Sequence, residues 1–165
     1  MSKIILEYVW IDGYENTRSK IKIINYNDIF KSRLYLLNNK YIDEFPEWNC
    51  DGSSCGLAET GDSDIILKPK KIFINPFFEK NSYFVLCDTY YKDNTPHITN
   101  NRVQCIKNFE NSSNLGFLFG MEQEYLITDK KGIPYLWSEE REKDSLSYCS
   151  TGVNCLGRDI SNEHL

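Results

Sequence analysis

Two segments near the N-terminus restrict what this chain can fold into. Ile4 to Ile11 is apolar and rich in Ile, Tyr, Val and Trp, and the turn pair Asp12-Gly13 follows it. Arg18 to Ile24 then alternates, with Lys20 and Lys22 set against Ile21 and Ile23. That two-residue period belongs to a strand with one face buried and one wet. Asp64–Leu67, Lys71–Asn75 and Tyr83–Asp88 are further short apolar runs of strand character. The first half therefore reads as a small mixed sheet of about four to six strands. Asp28 to Leu37 reads as a short helix or a loop, ended by Asn38-Asn39.

A polar connection, Lys92 to Asn101, supplies the best boundary candidate. Beyond it Thr99 can cap a helix carrying Val103, Ile106 and Phe109 at helical spacing, ended by Ser112 to Asn114. Phe117 to Ile127 reads as a strand, Gly132 as a turn, and Ser138 to Ser147 as a charged loop or surface helix. The 165 residues suit one full domain or two small ones. An apolar share of 41% supports a packed core. The net charge of −5 gives no basic footprint for nucleic acid. No run approaches the ~20 apolar residues of a membrane helix, and the N-terminus lacks the pattern of a secretory signal. The expected place is the cytoplasm. There the six cysteines, with no CxxC pair, read as free and mostly packed thiols. A zinc site from Cys50, Cys55, Cys149 and Cys155 is the sharper alternative.

Two motifs carry chemistry. On the expected strand, Glu122 and Glu124 fall on one face, about 6.6–6.8 Å apart along the chain. Leu118 and Leu126 flank them, while Phe117, Phe119, Met121 and Tyr125 take the other face. Like charges beside apolar residues repel, so solvent, a cation or hard metal ions such as Mg²⁺ or Mn²⁺ must offset them. The second motif is EWNCDGSSCG, Glu47 to Gly56. Asp51-Gly52 is a turn pair, and Ser53 and Ser54 can satisfy the turn's backbone. It reads either as a plain loop or as a carboxylate on a rigid turn, with Trp48 shaping a pocket. An anion placed there attracts a cation or takes a proton from one.

The segment Pro46 to Pro69 closely resembles the N-terminal signature of the glutamine synthetases of the eukaryotic-type class. Other matches run in the same order. They are Tyr8–Gly13, Arg18–Lys20, Asn75–Phe77, Val85–Asp88, Thr99–Arg102, Gly120–Tyr125 and Gly157–Ile160. The resemblance covers nearly the whole chain. It implies an α+β chain, with a β-grasp domain over residues 1–94 and the beginning of a glutamine synthetase catalytic α/β domain over residues 95–165. The implied reaction is ATP-dependent formation of glutamine from glutamate and ammonia through γ-glutamyl phosphate, with Mg²⁺ or Mn²⁺. Asp51 matches the aspartate that binds ammonium and draws off its proton. Trp48, Ser53 and Ser54 match residues supporting that loop. Glu122 and Glu124 match ligands of different metal ions, with Glu122 also near the nucleotide phosphates. The implied assembly is a homo-oligomeric ring with active sites between subunits.

The sequence departs from the family pattern in several places. Cys50 replaces an aromatic, Asn162 stands where Glu is usual, and the Ser138–Ser147 stretch is charged where a longer Pro/Gly-rich loop is usual. The chain stops at Leu165, short of the middle of a typical member. The resemblance thus implies a truncated chain that is inactive alone. The alternative is an inactive relative that joins or caps rings of full-length subunits. A catalytic sheet cut after its first strands is expected to self-associate.

Overall fold

The computed structural model describes residues 3–25, 39–78, 81–122, 124–136, 138, 148–152 and 155–164, with backbone alone at 39–41 and 164. The Asp28–Leu37 segment lies outside these residues, as does Ser138–Ser147 apart from Ser138. The chain divides into two compact units, Met1–Gly116 and Phe117–Leu165.

The first unit is built on five strands: β1 (Lys3–Ile11), β2 (Thr17–Asn25), β3 (Trp48–Asp51), β4 (Asp64–Ile74) and β5 (Ser82–Tyr90). Their order across the sheet is β2-β1-β5-β4-β3. Central β1 and β5 run parallel, and every other neighbouring pair is antiparallel. Alternation along β1 puts Ile4, Leu6, Tyr8 and Trp10 into the core. Ile65, Leu67 and Ile72 of β4 join them, with Tyr83, Val85 and Cys87 of β5. On β2, Ile21 and Ile23 stay exposed while the lysine side turns partly inward. The alternation is as read from sequence, but its apolar members face outward on this edge strand.

The separate runs Asp64–Leu67 and Lys71–Asn75 form one bent strand. Pairing with β5 passes from Pro69↔Cys87 to Lys71↔Leu86, so Lys70 is an extra, bulged residue. Pro69 has no N–H to give the ladder, and bulges are where a sheet tolerates proline. The bulge flips the buried phase from odd residues (Ile65, Leu67) to even (Ile72), which makes the sequence look like two elements.

Helix α1 spans Asn101–Asn111 and ends at Ser112. Its cap is Asn100, without a side-chain cap bond, not Thr99. Thr99 Oγ1 instead lies 2.8 Å from His97 Nδ1, so its hydroxyl is engaged elsewhere. Ile106 and Phe109 remain 48% exposed.

In the second unit the expected strand Phe117–Ile127 is not formed: residues 117–122 and 124–127 are irregular. A strand needs a ladder partner. Here the described pairing is one bridge, Thr128↔Pro134. Around it, the Tyr135 N–H donates to Ile127 O and the Asp129 N–H to Ile133 O, each at 2.8 Å. The Asp129 carboxylate caps the intervening turn by accepting from Lys131 N at 2.8 Å and Ile133 N at 3.0 Å. A short helix, α2 (Arg158–His164), follows. Among the described residues no helix is long and apolar enough to cross a membrane.

Candidate functional site

The Asp51 loop starts where β3 stops. The β3 strand pairs with β4 in the register Cys50↔Ile65 and Asp51↔Asp64. Burial along β3 puts Cys50 inside and Asp51 outside. Asp51 keeps an extended backbone and caps a 3-10 turn, Gly52–Cys55. Its Oδ1 accepts from the Ser53 N–H at 3.0 Å and the Ser53 hydroxyl at 2.7 Å. Its Oδ2 accepts from the Ser54 hydroxyl at 2.9 Å. The hydroxyls of Ser53, Ser54 and Ser63, with the Ser53 N–H, lower the carboxyl's pKa to about 2. Each of these bonds favours the ionised form. The carboxylate is nonetheless exposed. An anion that is preformed, oriented and open to solvent is what a cation-attracting group requires.

The rest of the unit clamps this loop. Gly52 N–H donates to Ser63 O at 2.6 Å, and Leu57 N–H donates to Gly52 O at 2.9 Å. A Cβ on Gly52 would lie 2.7 Å from Ile65 Cγ1. From the other side comes the β1–β2 turn, where the Gly13 N–H donates to Cys55 O at 2.9 Å. A Cβ on Gly13 would lie 1.9 Å from Gly56 O, so the two backbones meet only because residue 13 has no side chain. Buried Asp12 holds that turn, accepting from Tyr14 N at 2.8 Å, Asn16 N at 2.9 Å and Arg18 Nε at 2.7 Å. Burial pushes the Asp12 carboxyl up, but the Arg18 guanidinium and the two N–H groups outweigh it, and its net shift is downward.

His97 fixes the loop's exit. Its ring is buried, with Nε2 2.7 Å from Leu57 O. A carbonyl only accepts, so Nε2 carries the proton, leaving Nδ1 to accept from the Thr99 N–H at 3.2 Å. Sequence reasoning read Asp12-Gly13 as a turn pair and Ser63 only as part of a matching segment, and it passed over His97 and the way these residues brace the loop. A lone histidine in a polar connection gave no periodic signal, Asp12's bonds stay within its own hairpin, and the contacts of Gly13 and Ser63 with the loop join separate segments.

Ser53 and Ser54 are thus brought onto Asp51, and Trp48 is placed differently. Trp48 shares the inner side of β3 with Cys50. Its ring packs T-shaped against that of Tyr8, with centroids 5.4 Å apart, and Lys20 Nζ lies 3.7 Å from the Trp48 ring centroid. Lys20 also donates to Asn49 O at 2.9 Å. Trp48 therefore anchors the strand leading into the loop.

Glu122 and Glu124 are exposed and lie on an irregular segment of the second unit, so the strand geometry expected for them is not observed. Their hard oxygens suit Mg²⁺ or Mn²⁺, but such ions take about six ligands. No group of three His, Cys, Asp or Glu able to hold a metal occurs among the described residues. These two carboxylates do not by themselves fit a metal centre. All six cysteines are free: Cys50, Cys55 and Cys87 are buried, Cys105 and Cys149 are exposed, and Cys155 is intermediate. The expectation of mostly packed thiols holds for the first unit's sheet and not beyond it. The four cysteines of the zinc alternative are split between the two units.

The curled five-stranded mixed sheet, with few helices, is consistent with a β-grasp-like domain that presents an anionic loop at the end of β3. Comparison with known proteins carries this further. The chain is 34% identical to glutamine synthetase of Emericella nidulans over 98% of its own length and 43% of the relative's. With glutamine synthetase of Tuber borchii the identity is 37% over the same shares. With that of Panulirus argus it is 35% over 95% of the chain and 42% of the relative. No protein-family model matches the chain. The chain is homologous to glutamine synthetases over nearly all its length, as its motifs indicate, and it spans about two fifths of the length of these relatives, consistent with an N-terminal portion.

Proposed function

We propose that this chain supplies the ammonium-binding loop of a glutamate–ammonia ligase, with Asp51 as the residue that meets the ammonium ion. One observation carries the reading: an exposed carboxylate held by serine hydroxyls and an N–H with its pKa at about 2. Such a group is an anion at any physiological pH and needs no rearrangement to receive a cation. The same bonds oppose proton transfer to it. To take ammonium's proton, Asp51 would first have to release Ser53 and Ser54. Attraction and orientation of the cation are therefore its better-supported roles, with Ser53 and Ser54 fixing the carboxylate and Trp48 anchoring β3.

In this reading residues 1–94 form the β-grasp domain and residues 95–165 begin the catalytic domain. Glu122 and Glu124 would lend oxygen ligands to Mg²⁺ or Mn²⁺, and Glu122 would lie near the nucleotide. ATP, glutamate and ammonium are the substrates, the cytoplasm the compartment, and a ring of like or full-length subunits the assembly. Two carboxylates leave a metal site short of ligands, and no group of three His, Cys, Asp or Glu able to hold a metal occurs among the described residues, so in this reading other residues supply the remainder. The chain by itself is accordingly expected to be inactive. A γ-glutamyl-hydroxamate assay on the purified 165-residue chain tests this. No turnover is expected, and clear turnover abolished by Asp51→Ala would contradict the inactivity.

A second reading, a capping subunit without catalysis, is favoured by the same pairing of a fully built loop with an incomplete ligand set. It predicts co-purification with a full-length synthetase. A strictly monomeric profile in that partner's presence would remove it.

A further inference from the structure

We infer that the Asp51–Gly52 linkage is a site of spontaneous isoaspartate formation, and that Ser53 and Ser54 have a second task in holding that reaction closed. The chemistry does not rest on reading the loop as a cation site; only its functional meaning does. Asp followed by Gly is the pair most open to this rearrangement, because a residue without a side chain leaves its nitrogen unshielded. The Gly52 nitrogen gives up its proton and attacks Asp51 Cγ. A C–N bond forms, the hydroxyl of the protonated carboxyl leaves with that proton as water, and a five-membered succinimide results. Water then adds at the Asp51 main-chain carbonyl carbon, and the original C–N bond breaks. One water leaves and one enters, and no oxidant or reductant is needed. The chain now runs through Cγ, and the free carboxylate is the former main-chain carbonyl group.

The folded loop opposes the attack at three points. The nucleophile is engaged: Gly52 is buried, and its N–H donates to Ser63 O at 2.6 Å. The electrophile is engaged too. Oδ1 accepts from the Ser53 N–H at 3.0 Å and its hydroxyl at 2.7 Å, and Oδ2 accepts from the Ser54 hydroxyl at 2.9 Å. These bonds favour the ionised carboxylate, whereas the reaction consumes the protonated one. A pKa of about 2 against the ordinary 3.8 cuts the protonated share at neutral pH by roughly one to two powers of ten. The backbone is also turned the wrong way. At φ −76° and ψ 103° the Gly52 nitrogen points away from the Cβ side of Asp51, so ring closure needs a large rotation. The rearrangement therefore proceeds through local opening of the turn. On the cation-site reading each such event disables one loop, because the displaced carboxylate leaves the serine hydroxyls.

The test ages the 165-residue chain in warm neutral buffer and maps isoaspartate by methyltransferase labelling and peptide fragmentation. The free peptide Asn49–Leu57 is the unclamped reference. Asp12-Gly13, the chain's other Asp-Gly pair, is the internal control. Asp51 in the folded chain should isomerise at least about 10-fold more slowly than in the peptide. Ser53→Ala with Ser54→Ala should remove most of that protection. Asp12, held by its own bonds to Tyr14, Asn16 and Arg18, should not change. Ser53→Thr with Ser54→Thr keeps both hydroxyls and should keep the protection. Ser54→Ala alone, which frees Oδ2, serves if the double alanine variant fails to fold. A folded wild type that isomerises at the peptide's rate, an alanine variant as slow as wild type, or an equal rise at Asp12 would overturn the inference. Ammonium binding is measured separately on the unaged chain, so either reading can fail without the other.

Discussion

Asp51 carries a pH signature of its own. Its folded pKa lies at about 2, below the ordinary carboxylate value of 3.8. A depressed carboxylate adds stability that is present above the unfolded value and is lost as pH falls through the folded one. The wild-type chain should therefore lose part of its stability between about pH 4 and pH 2. Asp51→Asn should flatten that segment in urea melts taken across the range, and an unchanged slope would contradict the hydroxyl clamp. Gly13→Ala tests the buttress. Its Cβ would press on Gly56 O, and overpacking of this kind costs about 1–3 kcal/mol. A thermal melt by circular dichroism should show it. At this scale the sequence displayed Asp51, Ser53 and Ser54 because a turn's own residues satisfy it locally. Gly13 against Gly56, or His97 against Leu57, are contacts between distant segments that no local pattern encodes.

Elements were legible where burial imposes a period. β1 alternates throughout, β2 over Ser19–Asn25 and β5 over Tyr83–Cys87, and all three were read at nearly their observed positions. The bulge at Lys70 hid the unity of β4 by shifting that period one residue. Helix α1 was legible from the spacing of Val103, Ile106 and Phe109, although its expected cap bonds His97 instead. The 117–127 strand was misread because alternation shows which face could be buried, not whether a partner strand is present. One ion pair ties α1 to β5: Arg102 Nε donates to Asp88 Oδ1 at 2.8 Å. Asp88 is buried, and its Oδ2 has no hydrogen-bond partner among the described residues. Burial raises its pKa, and Arg102 opposes the rise. Arg102→Ala should cost about 1.5–3 kcal/mol at neutral pH, the range for a hydrogen bond to a charged group. An acid raised by burial is least costly when protonated, so the difference from wild type should shrink as pH falls. Paired urea titrations at neutral and acidic pH read this, and a pH-independent difference would contradict it.

Across the whole molecule, apolar surface is left open in both units. In the second, Phe117 is 62% exposed, Leu118 97%, Phe119 72% and Met121 98%. Ile21, Ile23 and Phe73 lie exposed in the first. Contiguous exposed apolar surface favours association. The isolated chain should self-associate on size-exclusion chromatography with light scattering, and Leu118→Ser with Met121→Ser should lessen it. A monodisperse, cooperatively melting monomer would contradict this expectation. Asp51's proposed role is to receive the ammonium ion in glutamine formation. A chimera tests it most directly, with this chain replacing the matching portion of a glutamine synthetase relative and KM measured for ammonium, glutamate and ATP. Asp51→Asn is expected to lower kcat/KM for ammonium by at least about 10²-fold, the scale of one preorganised electrostatic contact, while KM for glutamate and ATP barely changes. An assembled, active chimera whose ammonium kinetics ignore Asp51→Asn would contradict it.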